Sequence, residues 1–159
     1  MKALQGLADD PSDERLAEML ASMPYVAFLG MGAVRRGDEL TFTLPFRAEL
    51  VGNTRLPALH GGAIGAFLET AAHLQLAARV ASEKLPKTID FSIEYLRSGR
   101  PRDTYARAEI VKLGRRVCSV QAVAWQDERQ RPIATARGAF LLTPLPGRTD
   151  GTAAGGAEE

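Results

Sequence analysis

Residues 56–81 read LPALHGGAIGAFLETAAHLQLAARVA, and the fold turns on what that stretch is. Ile64, Phe67, Leu68, Ala71, Leu74 and Ala78 recur at three- and four-residue spacing, the period of an α-helix. The other sides are mostly Ala and Gly, and a helix that is apolar nearly all round is a buried helix. Its opening turn, His60-Gly61-Gly62, holds no Ser, Thr, Asp or Asn to cap it. One acid, Glu69, stands nine residues after the histidine among Ala, Gly, Phe and Leu.

On either side of this helix the chain reads as short strands. Upstream, Asp13–Ser22 is a helix candidate, with Ser12 as cap, Leu16, Met19 and Leu20 as its apolar stripe, and Pro24 beyond its end. YVAFLGMGAVRR (25–36) reads as a strand and GDE (37–39) as a turn. LTFTLPF (40–46) alternates, with Leu40, Phe42, Leu44 and Phe46 on one face. RAELVGNTRLPAL (47–59) reads as a loop. After Pro86 the period becomes two. In KTIDFSIEYLRSG, Ile89, Phe91, Ile93 and Tyr95 share one face and Asp90, Ser92 and Glu94 the other. TYARAEIVKL, VCSVQAVAWQ and PIATARGAFLL follow, joined by short polar turns that imply antiparallel neighbours. The stretch from Pro144 onward is rich in Gly, Ala and Pro and is expected to be disordered.

Six antiparallel strands and one substantial helix give an α+β fold, in which one sheet must curl around the helix to bury it. The expected organisation is an N-terminal helical segment (1–23), one domain (24–143) and a tail (144–159). The chain of 159 residues is 45% hydrophobic and 25% charged, with a formal net charge of +1. That balance gives no electrostatic case for nucleic acid or an anionic membrane, and no apolar run approaches the ~20 residues of a spanning helix. The single cysteine, Cys118, excludes an internal disulfide and a zinc cluster; it alternates with Val120, Ala122 and Ala124 as a core residue would. Trp125, Tyr105, Phe67 and Leu68 read as packing. A cytoplasmic protein is expected, with no metal.

The chemistry is concentrated at the helix start. The first turn of any helix leaves backbone N–H groups without partners, and two glycines remove the side chains that would screen them. Exposed amides at the positive end of a helix dipole suit an anion or a polarised carbonyl oxygen, which is an oxyanion hole. The plainer alternative is that the glycines permit a tight turn and His60 hydrogen-bonds a loop. Gly62, Gly65, Ala66, Glu69 and His73 share one helical stripe, which makes Glu69 either a catalytic carboxylate or a group paired with an arginine or with His73. Gly61 and Glu69 are eight residues apart, about 12 Å along the axis. Reacting atoms must approach to ~3 Å, so a homodimer with shared sites is expected, Gly61 from one subunit facing Glu69 from the other.

LHGGAIGAFLET, with the GN upstream and an acid nine residues after the histidine, resembles the helix start of hotdog-fold acyl-CoA thioesterases of the PaaI-like, phenylacetate-pathway type. The strands of residues 87–143 are similar to that family's series, and the resemblance covers roughly residues 24–143. It implies a curved sheet around one long helix, dimers or dimers of dimers, and hydrolysis of acyl-CoA to acid and CoA, the coenzyme entering as part of the substrate rather than as a cofactor. By position it implies Gly61 as oxyanion donor, His60 as its positioning neighbour, and Glu69 as general base or nucleophile, with Gly62 beside the substrate. The family's carbonyl-orienting Asn or Gln falls at Thr54 here, with Asn53 one residue away. The family's Ser or Thr four residues after the acid is His73 here, a departure.

Arg97, Arg100, Arg102, Arg115 and Arg116 fall at strand ends and turns. Each is a solvated rim charge or a ligand for coenzyme A phosphates, and Arg97 and Arg100 are the candidates for substrate binding. The competing functions are a hotdog hydratase or dehydratase, which would need His73 as partner to the acid, and an acyl-CoA-binding module without turnover.

Overall fold

The computed structural model describes residues 12–37, 39–80 and 85–143. The expected tail, part of the 37–39 turn, and Ala81 at the end of the expected long helix lie outside them. Among the described residues there are three α-helices, α1 (Asp13–Ser22), α2 (Pro24–Leu29) and α3 (Gly61–Arg79). The strands are β1 (Gly32–Arg36), β2 (Glu39–Leu44), β3 (Val51–Asn53), β4 (Ala58–Leu59), β5 (Lys87–Tyr95), β6 (Thr104–Leu113), β7 (Val117–Trp125) and β8 (Ala134–Leu141). Six of them form one antiparallel sheet in the order β1-β2-β6-β7-β8-β5, and β3 and β4 pair separately.

α3 lies against the sheet and touches β2, β5, β6, β7 and β8. Ile64, Phe67, Leu68, Ala71 and Leu74 are buried there, as their spacing predicts. Opposite them the sheet offers small residues, Ala106, Ala122, Ala124, Ala134 and Ala136. Short side chains let a helix settle close to a sheet, and interiors tolerate few voids. This is the sheet wrapped on one helix that the residue pattern predicts, and the hotdog arrangement that the resemblance implies. Cys118 is buried in the layer formed with Ala72, Leu76 and Phe140. Burial pushes its thiol above the ordinary range, partly offset by a hydrogen bond from the Gly114 backbone. Trp125 stacks on Tyr105 with ring centroids 6.2 Å apart.

The expected strand at 25–36 is corrected. Its first half is α2, which begins with Pro24 in its first turn and ends at Gly30, at φ 67°. Proline is preorganised for a helix start and glycine for a left-handed stop, so two punctuating residues enclose one and a half turns that apolar content alone made look extended. Val26 and Leu29, three apart, point inward. α1 forms as expected, with the Ser12 side chain accepting from the Arg15 amide, and Leu16, Met19 and Leu20 join the same core as α3. The 47–59 loop contains a 3-10 turn (Ala48–Leu50) and the β3–β4 pair. α3 itself starts at Gly61, because residues 54–59 are a turn and β4.

A further correction concerns β5. Its register on β8 shifts between Thr88 and Asp90, so Thr88 lies opposite Phe140 while Phe91, Ile93 and Tyr95 lie opposite Gly138, Ala136 and Ala134. Residues directly opposite in a ladder point to the same face. The bulge therefore puts Thr88 on the same face as Phe91, Ile93 and Tyr95, the face toward α3, and leaves Ile89 out of that row, exposed. Strict alternation had put Ile89 in the row.

Candidate active site

The helix start is capped after all, by the histidine itself. His60 is the N-cap residue of α3, and its ring Nδ1 accepts the Gly62 N–H at 2.9 Å. A Cβ on Gly62 would come within 2.9 Å of that nitrogen, so the second glycine is what lets the ring fold back. An accepting Nδ1 carries no hydrogen, which places the proton of neutral His60 on Nε2. The Ala63 and Ile64 amides bond the His60 carbonyl at 2.9 and 3.2 Å. One amide of the first turn remains: among the described residues no acceptor takes the Gly61 N–H. Tyr95, from β5, fixes that residue from the other side, its hydroxyl donating to the Gly61 carbonyl at 2.7 Å.

Glu69 is half-buried, and among the described residues no arginine pairs with it. The Thr88 hydroxyl donates to its Oε1 at 2.7 Å. His73 closes the group, with Nδ1 3.0 Å from the Glu69 backbone carbonyl and Nε2 3.3 Å from Thr88 Oγ1. Glu69, His73, Thr88 and Tyr25 share a cleft of about 580 Å³. His60 and Gly62 open onto a second cleft of about 500 Å³ with Tyr25, Phe28, Leu29 and Arg47. Tyr25 lines both, so α2 is the common wall between the helix start and the acid.

The remaining candidates disperse. Asn53 is exposed, and its Oδ1 accepts the Arg55 and Leu56 amides at 3.0 and 3.1 Å. Its oxygen holds the turn in which Thr54 also lies. Arg97 and Arg100 line a separate cleft of about 340 Å³ with Gln126, Asp127 and Arg131. The Arg97 guanidinium donates to the Pro132 carbonyl at 2.7 Å, and the Arg100 amide to Gln126 Oε1 at 2.9 Å. Arg102 pairs with Asp127. These three flank the loop before β6, whereas Arg115 and Arg116 stand beyond its far end, so the five arginines form no single cluster.

Sequence reasoning passed over Tyr25, Arg47, Thr88 and Tyr95. Arg47 lines the helix-start cleft, donates to the Phe28 carbonyl at 2.6 Å and lies over the Phe28 ring. Its Nε is buried without a partner among the described residues. Its place in a stretch read as featureless loop gave no signal. Thr88 had one, had the bulge been visible.

An exposed amide at the positive end of a buried helix, with an acid along one flank, is equipped to polarise a carbonyl and attack it. The thioesterase superfamily model matches residues 56–133, the span from the turn before α3 to the residue before β8. The chain is 30% identical over 135 residues to the medium/long-chain acyl-CoA thioesterase YigI of Escherichia coli strain K12, covering 76% of this chain and 86% of that protein. The chain belongs to the thioesterase superfamily and is a thioester hydrolase. Among solved structures, a Chromobacterium violaceum protein is 42% identical, with a TM-score of 0.73 over 91% of this chain and 99% of its own. A phenylacetic acid degradation-related protein of Ralstonia eutropha has the same fold, with a TM-score of 0.70 at 23% identity, covering 80% of this chain and 97% of its own. No helix among the described residues is long and apolar enough to cross a membrane.

Proposed function

We propose that the chain hydrolyses an acyl-CoA thioester to free acid and CoA, with the carbonyl oxygen on the Gly61 N–H and Glu69 acting as general base on water or as nucleophile. The observation that carries this reading is the division of labour in the first turn of α3. His60 takes the Gly62 amide and its carbonyl takes the next two, which leaves the Gly61 amide to meet an oxyanion. A single preorganised donor of this kind is worth about 3 kcal/mol in a transition state. The apolar side chains of Tyr25, Phe28 and Leu29 line the adjoining cleft and suit an acyl chain. Arg47, in the same cleft, is the cation nearest to hand for a coenzyme A phosphate. Coenzyme A enters as part of the substrate, in the cytoplasm.

Two copies of the chain complete the site in this reading, Gly61 of one facing Glu69 of the other. β5 is an edge strand of the main sheet, with Ile89 and Tyr95 more than half exposed. An open edge with apolar side chains is a template for pairing with another chain. Thiol release from a panel of acyl-CoAs tests the activity. Mixing Glu69→Ala with Gly61→Pro subunits tests the sharing: one intact site per mixed dimer restores turnover, and dead mixtures place both groups in one chain. A hydratase fits less well, because both ring nitrogens of His73 already face protein groups, the Glu69 carbonyl and the Thr88 hydroxyl.

A further inference from the structure

His73 has no assigned part in the chemistry above, yet its surroundings dictate where its proton is. A backbone carbonyl can only accept, so the 3.0 Å contact between Nδ1 and the Glu69 carbonyl requires hydrogen on Nδ1. Nε2 of the neutral ring is then a bare lone pair. It faces Thr88 Oγ1 at 3.3 Å. Thr88 has one hydroxyl hydrogen and two acceptors, and the carboxylate, charged and nearer at 2.7 Å, takes it. Nε2 is thus left against an oxygen with no hydrogen between them, a deficit that one added proton would cure. Phe140, edge-on at 4.9 Å between ring centroids, holds the imidazole in this plane.

We propose that His73 is the proton store of the Glu69 centre, loaded and unloaded through the Thr88 hydroxyl. The proposal rests on the hydrolase reading with Glu69 as base. Water gives its first proton to Glu69 as its oxygen bonds to the thioester carbon. Protonated Glu69 passes that proton to Thr88 Oγ1 while the Thr88 hydrogen moves to His73 Nε2, which leaves a carboxylate and an imidazolium. When the C–S bond breaks, its electron pair goes to sulfur. The stored proton returns along the same path to the departing thiolate, and the acid product sheds its remaining proton to solvent. Glu69 on α3, Lys87 on β5 and Tyr25 on α2 are the titratable groups that share the cleft with His73; β8 contributes the Phe140 ring.

The chain has two histidines, and the structure gives them opposite tautomers, Nε2–H for His60 and Nδ1–H for His73. Nitrogen-15 spectra of the full chain read both, with His60→Asn assigning the signals. The store also predicts a kinetic pattern. His73→Gln and Thr88→Val each lower kcat about 10²-fold with KM near the parent value. Thr88→Ser recovers the loss, and the double variant is no worse than either single one. A His73 signal of the Nε2–H form, or losses that multiply in the double variant, would overturn the relay alone. A parent that releases no thiol from any acyl-CoA overturns the hydrolase reading, and the relay with it.

Discussion

The two halves of the site on α3 are built in opposite ways. The helix start is local: His60 caps Gly62 two residues away, and the bare Gly61 amide lies between them. The acid centre is distant in sequence. Glu69 is held by Thr88, nineteen positions along, and Thr88 reaches it because a bulge reverses the alternation of an edge strand. Local devices survive rearrangement elsewhere in the fold, whereas the acid centre depends on strand register. Each half is therefore expected to fail in its own manner.

The largest effect expected is at the acid. Glu69→Ala lowers kcat about 10³-fold in a thiol-release assay while leaving the melting temperature close to the parent, since the group it removes is only half-buried. Next comes a change remote from both halves. Gly138 lies opposite Phe91, and a Cβ there would come within 2.7 Å of both the Phe91 and Phe140 rings. Gly138→Ala costs about 1–3 kcal/mol by overpacking, measured by denaturant unfolding, and it lowers activity by moving the ring that supports His73. Equal stability with full activity would break the claim that the acid centre is held from afar.

At the helix start, His60→Ala loses the cap at about 1 kcal/mol of stability, and His60→Asn recovers most of it, because asparagine is a good cap. Loss of activity in both variants would separate the ring's role toward substrate from its role as cap. The smallest effect concerns Cys118, whose thiol burial pushes upward. Its folded-state pKa lies above the unfolded one, so its contribution is complete below the ordinary thiol range near 8.5 and declines as pH rises beyond it. The native thiol should react slowly with Ellman's reagent at pH 8 and at once on unfolding.

The same contrast explains what the sequence made legible. The period of Ile64, Phe67, Leu68, Ala71 and Leu74, and the alternation after Pro86, reveal the wrapped helix and the long strands because those signals are local. What escaped was non-local or masked by composition. Residues 25–29 are apolar enough for a strand, and only the Pro24 and Gly30 boundaries betray a helix. His60 carries no cap signal in the usual hydroxyl and Asx pattern, although a ring nitrogen two bonds from Cβ reaches the same amide. Thr88 was hidden by one extra residue in the ladder, which no pattern of period two can register. Arginines gathered by their places in turns proved to occupy opposite ends of the strands, because adjacency of turns in sequence carries no information about which end of a sheet they cap.

α2 walls both clefts with the side chain of Tyr25 and contributes nothing to the attack proposed for Glu69 and Gly61. The six residues Pro24–Leu29, begun by the proline and closed by Gly30, thus form a replaceable cassette. A lineage could exchange it to admit longer, shorter or ringed acyl groups while the hydrolytic machinery on α3 stayed untouched. Selectivity and turnover would then evolve on separate stretches of chain.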